Sequence, residues 1–259
     1  MKKIIIRKGK SRKSEISGNS KNSFSSDENK FYYLKDINQD FHTTDGIITK
    51  KEMKKTGRLK TKSGEYFAFN PSFADNYKRI KRGPQIIVPK DIGYIIAETG
   101  INRDSFVLDA GTGSGAFACF VASIAKKVVS YEIRDDFIKI SKENKEKLNL
   151  NNLTIKKGDV YENISEKNVD VIILDVTEPW KAIKNTQKAL KVGGFLVVYS
   201  PQVTQIQSFM NEIIKKGSFI HVKTIELIER YWKIEEKIAR PRSEGIGHTG
   251  FMSFFRKIE

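Results

Sequence analysis

Two hydrophobic rhythms divide the chain. From about residue 84 onward, apolar runs of four to eight residues alternate with helix-length amphipathic stretches. Strands are predicted at 105–110, 128–132, 153–157, 169–175 and 194–200, with helices near 114–126, 135–148, 180–190 and 203–215. A near-continuous apolar strand such as Val169-Asp170-Val171-Ile172-Ile173-Leu174 belongs in a sheet covered on both faces. After Gly217 the helical pattern stops. Strand-like segments at 219–236 and 249–257 flank the loop Arg240-Pro241-Arg242-Ser243-Glu244-Gly245, which suggests an antiparallel pair at the sheet edge. Between residues 31 and 83 the rhythm is shorter. Apolar pieces (Phe31-Tyr32-Tyr33-Leu34, Gly46-Ile47-Ile48, Gly64 to Phe69) are separated by turn signals, as in a small β-barrel or sandwich. The expected fold is therefore α/β: a doubly wound sheet over 84–259, preceded by a small β-rich domain over 31–83. Residues 1–30 read as a disordered basic tail, because Ser, Asn and charge dominate and little apolar surface is available.

Charge changes the picture most. The chain of 259 residues carries 47 Lys and Arg against 31 Asp and Glu, a formal net charge of +16. A globular protein this basic repels itself and suits a polyanionic partner, either nucleic acid or an anionic membrane surface. The basic residues interleave with the β-rich region (Lys50, Lys51, Lys54, Lys55, Arg58, Lys60, Lys62) and continue at Lys78, Arg79, Lys81 and Arg82. A solvated Lys-rich surface is the plain alternative for any one of them; the run as a whole reads as a phosphate-contacting face. Cys119 is the single cysteine and His42, His221 and His248 are the only histidines. No metal-ligand spacing occurs, so no metal is expected, and the cysteine usage fits a reducing cytoplasm. No apolar stretch approaches the length of a membrane helix.

The candidate chemistry sits at the predicted strand ends. Asp109-Ala110-Gly111-Thr112-Gly113-Ser114-Gly115 joins the first strand to the first helix, where glycines allow close backbone approach and the helix start offers free N–H groups. Glu132 ends the second strand, placed to accept both hydroxyls of a ribose, a feature that dinucleotide and S-adenosylmethionine proteins share. Asp159 ends the third strand, either a ligand for an adenine amine or an ordinary turn Asp. Asp175 ends the fourth, facing a reacting group or capping the turn before Pro179-Trp180.

These residues resemble the tRNA adenine N1-methyltransferases that modify position 58 of the T-loop, from about Phe31 to Lys257. The segments Arg82 to Asp91, Leu108 to Gly115, Ser130 to Arg134, Leu174 to Trp180, Tyr199 to Gln205, and Gly247 to Phe251 after Arg240-Pro241 are similar to the family's signatures, in its order. Phe41-His42-Thr43 followed by Gly46 resembles its small N-terminal domain. The resemblance implies a Rossmann-like class I methyltransferase, S-adenosylmethionine as methyl donor, tRNA as substrate and a homotetramer, with position 57 a further target in archaeal members. It implies that Gln85, Asp109, Gly111, Gly113, Ser114, Gly115, Glu132, Asp159 and Asp175 bind cofactor, with Asp175 catalytic. Lys54, Lys55, Arg58, Arg79, Arg82, Val88 and His248 are the candidate RNA contacts, with support of the final turn as the alternative for His248. Val88 stands where the family often has Tyr or His, and Asp109 where many members have Glu. The alternatives are a non-catalytic RNA-binding subunit, an NAD-dependent oxidoreductase, and a methyltransferase for protein or small molecules.

Overall fold

The computed structural model describes residues 2–9, 29–83, 86–235 and 238–259. The chain divides into two units, Met1–Lys78 and Arg79–Glu259. In the first, β1 (Lys3–Lys8), β2 (Lys30–Leu34), β3 (Phe41–Thr43), β4 (Gly46–Ile48), helix α1 (Lys50–Met53), β5 (Gly57–Leu59), β6 (Glu65–Phe69) and helix α2 (Phe73–Tyr77) follow in order. They pair as a four-stranded sheet, β2-β1-β6-β5, and a separate β3-β4 hairpin, rather than as a closed barrel among the described residues. Ile5, Ile37, Ile48, Met53, Leu59, Tyr66 and Ala68 form its core.

Residues 3–8 correct the expectation of a tail over 1–30: they form an inner strand, antiparallel to both β2 and β6. The composition argument assumed that basic side chains stay in water. Here Lys3 and Arg7 are buried along with Ile5 on one face. Lys3 Nζ donates to the Lys55 carbonyl at 3.0 Å and Arg7 Nε to Asp45 Oδ2 at 2.6 Å, so both cations have internal partners. The remaining part of the expected tail, 10–28, lies outside the described residues.

The second unit continues with α3 (Pro89–Thr99), β7 (Phe106–Ala110), α4 (Ala116–Ala122), β8 (Lys127–Glu132), α5 (Asp135–Lys147), β9 (Leu153–Lys157), β10 (Val169–Leu174), a 3-10 turn (Pro179–Ala182), α6 (Ile183–Ala189), β11 (Leu190–Ser200), α7 (Val203–Ile214), β12 (Phe219–Glu226), β13 (Trp232–Glu235), β14 (Ile238–Pro241) and β15 (Phe251–Lys257). Seven strands form one sheet in the order β12-β15-β11-β10-β7-β8-β9. The five from β7 to β11 run parallel, and β15 lies antiparallel between β11 and β12. The order reverses between β7 and β10, so the carboxyl ends of those two strands open onto the crevice where ligands of such sheets bind. The segment read as one strand over 219–236 splits: β12 ends at Glu226, and β13 pairs with β14 in a separate two-stranded sheet. Helix α3 was not read from the apolar pattern. Its signal is the pairing of Pro89 at the first helical position with Gly100 in the left-handed cap.

Candidate active site

The turn after β7 is built by glycines with positive φ. Gly111 has φ 91°, and a Cβ there would lie 2.0 Å from the backbone oxygen of Asp175. Only glycine lets the turn pass against the end of β10. Gly115, at φ 80°, has the same character: a Cβ would press on Ser141 of α5 at 3.0 Å. Gly111 and Thr112 both donate their N–H to the Tyr131 carbonyl at 3.1 Å, which ties the turn to β8. The Ser114 carbonyl accepts from Asn144 Nδ2 at 2.8 Å, and the same amide donates to the Lys81 carbonyl at 2.8 Å. Asn144 thus staples the glycine turn to the segment that leads towards α3. Sequence reading missed it; a buried Asn in the middle of a helix is the signal, since helix interiors disfavour Asn unless its amide is used.

Three carboxyls surround this turn. Glu132 accepts the Gly113 N–H at 2.8 Å on one oxygen, and the N–H groups of Ile133 and Arg134 at 2.9 and 3.0 Å on the other. Asp109 is buried, with Oδ2 accepting from the Ser130 hydroxyl at 2.6 Å; Ser130 in turn meets Thr112 Oγ1. Burial pushes Asp109 up to about 7, against the Ser130 hydrogen bond, and the Glu132 charge adds to the rise. Asp175 anchors its own backbone by donating its N–H to the Ala110 carbonyl at 2.8 Å. Its carboxyl has no hydrogen-bond partner among the described residues. Burial, then the charges of Asp109 and Glu132, push Asp175 up to about 8. Asp109 Oδ1 and the Ser114 hydroxyl are buried without partners among the described residues. Such orphaned atoms are uncommon in a finished core, and a polar ligand beside the turn would give both a partner.

Asp159 lies next along the same edge. Its Oδ1 accepts the Tyr161 N–H at 2.8 Å, as a turn Asp does, and Oδ2 has no partner among the described residues. Val88 is the N-cap of α3, with no side-chain cap bond. Gln85 lies outside the described residues. His248 is held at both nitrogens, by Glu226 and by the Pro201 carbonyl at 2.8 Å.

The structure thus brings Asp109, Gly111, Gly113, Ser114, Gly115, Glu132, Asp159 and Asp175 to one sheet edge. Arg79 and Arg82 are exposed at the start of this unit, and Lys54, Lys55 and Arg58 lie in the other one. Lys55 pairs with Glu52 at 2.5 Å and Arg58 with Glu65 at 2.9 Å, whereas Lys54 has no ion pair among the described residues. Cys119 is buried, which pushes its thiol up to about 12 and leaves it inert.

The profile of the family described as "tRNA methyltransferase complex GCD14 subunit" matches residues 78–238. The tRNA (adenine(57)-N(1)/adenine(58)-N(1))-methyltransferase TrmI of Methanocaldococcus jannaschii is 35% identical over 88% of this chain and 91% of its own length. The tRNA (adenine(58)-N(1))-methyltransferase TrmI of Thermus thermophilus is 28% identical over 84% and 88%. Among solved structures, a SAM-dependent O-methyltransferase from Thermotoga maritima superposes with TM-score 0.78 at 27% identity, covering 99% of this chain and 93% of that one. The tRNA (m1A58) methyltransferase TrmI from Aquifex aeolicus has TM-score 0.76 over 99% and 97%; at 23% identity that likeness speaks for the fold alone.

Proposed function

Because this chain belongs to the tRNA methyltransferase family of the GCD14 subunit, we propose that it methylates N1 of adenosine in the T-loop of tRNA. Position 58 is the target, with position 57 as a second one, and S-adenosylmethionine is the donor. The observation that carries the reading is Asp175, a carboxyl with no hydrogen-bond partner among the described residues, beside a glycine turn that two further carboxyls line. A cationic ligand would offset the charge that Asp109 and Asp175 acquire on ionisation. The family match weighs against the oxidoreductase alternative.

The residues present fit the cofactor. Gly111, Gly113, Ser114 and Gly115 would approach it by backbone, Glu132 would accept its ribose hydroxyls and Asp159 its adenine amine, with Gln85 and Asp109 also on the cofactor side. Bound there, S-adenosylmethionine supplies an electrophilic methyl group carried on a sulfonium. Asp175 accepts a hydrogen bond from the 6-amino group of the target adenine, which raises the nucleophilicity of N1. As N1 is alkylated the ring becomes cationic, and the same carboxylate offsets that charge. The base reaches Asp175 only after leaving its stack.

The test is methyl transfer from labelled S-adenosylmethionine to an unmodified tRNA transcript, followed by nucleoside mass analysis. N1-methyladenosine is the expected product. An O-methylated nucleoside would favour the O-methyl transfer named for the Thermotoga maritima protein. Cofactor binding without any product would favour the non-catalytic subunit.

The basic first unit supports tRNA as the partner. Lys51, Lys54 and Lys62 are exposed and have no ion pair among the described residues, so their ammonium groups can meet phosphates. Lys55 and Arg58 must first release Glu52 and Glu65. Replacing Lys51 and Lys54 together by Ala is therefore expected to lower the slope of log K against log salt by up to about 0.9 for each phosphate that is no longer neutralised. The paired residues should give smaller changes, and an unaltered slope in the Lys51/Lys54 variant would remove this face from the interface. Arg79 and Arg82 extend the basic run into the second unit.

The homotetramer is supported by exposed apolar side chains around the second hairpin. Trp232, Ile234 and Ile238 are 54%, 77% and 39% exposed, and Ile228 and Tyr231 adjoin them. Light scattering on the purified chain separates a tetramer from a species that awaits a different subunit.

A further inference from the structure

Residues 248–250 are held one by one across the carboxyl ends of β11 and β12 and the first turn of α3. His248 meets Glu226, the last residue of β12, through Nδ1, and the carbonyl of Pro201, just after β11, through Nε2 at 2.8 Å. Thr249 Oγ1 donates to Asp91 Oδ2 at 2.8 Å and accepts from Lys90 Nζ at 2.8 Å, both on the first turn of α3. Gly250 packs so closely on the Tyr199 ring that a Cβ would come within 2.5 Å of it. Tyr199 in turn donates to the same Asp91 oxygen at 3.0 Å, and Lys90 also reaches the Leu227 carbonyl at 2.7 Å. Leu174 pairs with Val198 in the sheet, so the next residues, Asp175 and Tyr199, sit side by side at its edge.

Both partners of His248 are acceptors. A neutral imidazole carries one N–H and could satisfy only one of them; the imidazolium satisfies both. We propose that His248 is a positioning residue for the methyl-accepting base: as an imidazolium it clasps residues 248–250 across the ends of β11 and β12, and so fixes Lys90, Asp91 and Tyr199 beside Asp175. With both ring nitrogens engaged by acceptors of the chain, His248 acts through the clasp rather than by donating to RNA. This rests on the reading of that edge as the acceptor side of the site.

The groups that face the ring from each element are Glu226 of β12, the Pro201 carbonyl after β11, Lys90 of α3 and the Phe251 ring of β15, 4.9 Å away. The Glu226 bond and then the Pro201 carbonyl raise His248 above its ordinary value, with burial and the Lys90 charge opposing. The clasp is therefore complete below the unfolded-state pKa, about 6.5, and loosens as pH rises through the higher folded value.

Two measurements test it. Ring-nitrogen NMR of histidine-labelled protein, assigned with His248→Gln, should show His248 titrating above its unfolded-chain value with both nitrogens protonated below it, and Glu226→Gln should shift that titration downward. Kinetically, His248→Gln should raise KM for tRNA about tenfold, with kcat within about threefold and cofactor affinity unchanged; Glu226→Gln should reproduce part of the rise. A His248 that titrates at or below its unfolded-chain value overturns the proposal even if the variant fails to fold. So does a KM effect in His248→Gln that Glu226→Gln does not share, which would indicate direct contact with RNA. Absence of N1-methyladenosine from the wild-type enzyme would count against the function reading, while the NMR result judges the clasp separately.

Discussion

Asp175→Ala is expected to lower kcat for methyl transfer by about 10²- to 10⁴-fold, while S-adenosylmethionine still protects the protein against thermal unfolding. The separation follows from geometry. Asp175 holds its backbone through the Ala110 carbonyl and uses its side chain for no structural bond among the described residues. Truncation therefore leaves the glycine turn, Asp109 and Glu132 in place. It removes the group proposed to accept from the adenine amine and to balance the charge on the alkylated ring. The pH profile supplies a second readout. Asp175 titrates at about 8, because burial and the charges of Asp109 and Glu132 favour its neutral form. A neutral carboxyl can neither raise the nucleophilicity of N1 nor offset its charge, so kcat/KM should rise with pH towards that value. Asp175→Asn should remove this acid limb. A flat profile in the wild type, or an Ala variant with near-normal kcat, would move catalysis to another residue.

Gly111→Ala is expected to destabilise the ligand-free protein by about 2–5 kcal/mol and to abolish cofactor protection. Two independent faults coincide at this position. The backbone has φ 91°, which L side chains rarely adopt, and the new methyl would lie 2.0 Å from the Asp175 backbone oxygen. That oxygen belongs to the end of β10, so relief requires moving a strand end rather than turning a side chain. Gly113→Ala is the control. It also has positive φ, at 52°, but its nearest neighbour to an added Cβ is the Gly111 carbonyl at 4.0 Å. Its ligand-free form should lose only about 1 kcal/mol, although cofactor binding should suffer, since the backbone approaches the ligand there too. Melting curves with and without cofactor separate the two. Equal losses of stability would mean that the Gly111 clash is relaxed elsewhere.

Much of this site was legible because it is local. The glycines at 111, 113 and 115 and the carboxylates at 109, 132, 159 and 175 each sit at the end of a strand whose apolar run can be read directly, and parallel strands necessarily align those ends on one edge. Asn144, Ser130 and Glu226 were not legible as site residues. Each works through a partner distant in sequence: the Lys81 carbonyl lies 63 residues from Asn144, and Ser130 lies 21 from Asp109. The first strand was misread for a related reason. Its lysine and arginine look solvated until Lys55 and Asp45, far along the chain, provide buried partners.

By itself the sequence determined the alternation of strands and helices, the sheet with a ligand turn after β7, the basic first unit and the residue types at the strand ends. These depend on hydrophobic periodicity and on backbone chemistry within a few residues. Tertiary structure alone decided that β15 inserts between β11 and β12, and that Asp175 loses solvation beside Asp109 and Glu132, whose charges disfavour its own. It also decided that Tyr199 finds Asp91 across 108 residues. Strand pairing, burial and charge coupling depend on which groups become neighbours in space, and no local pattern in the chain specifies that.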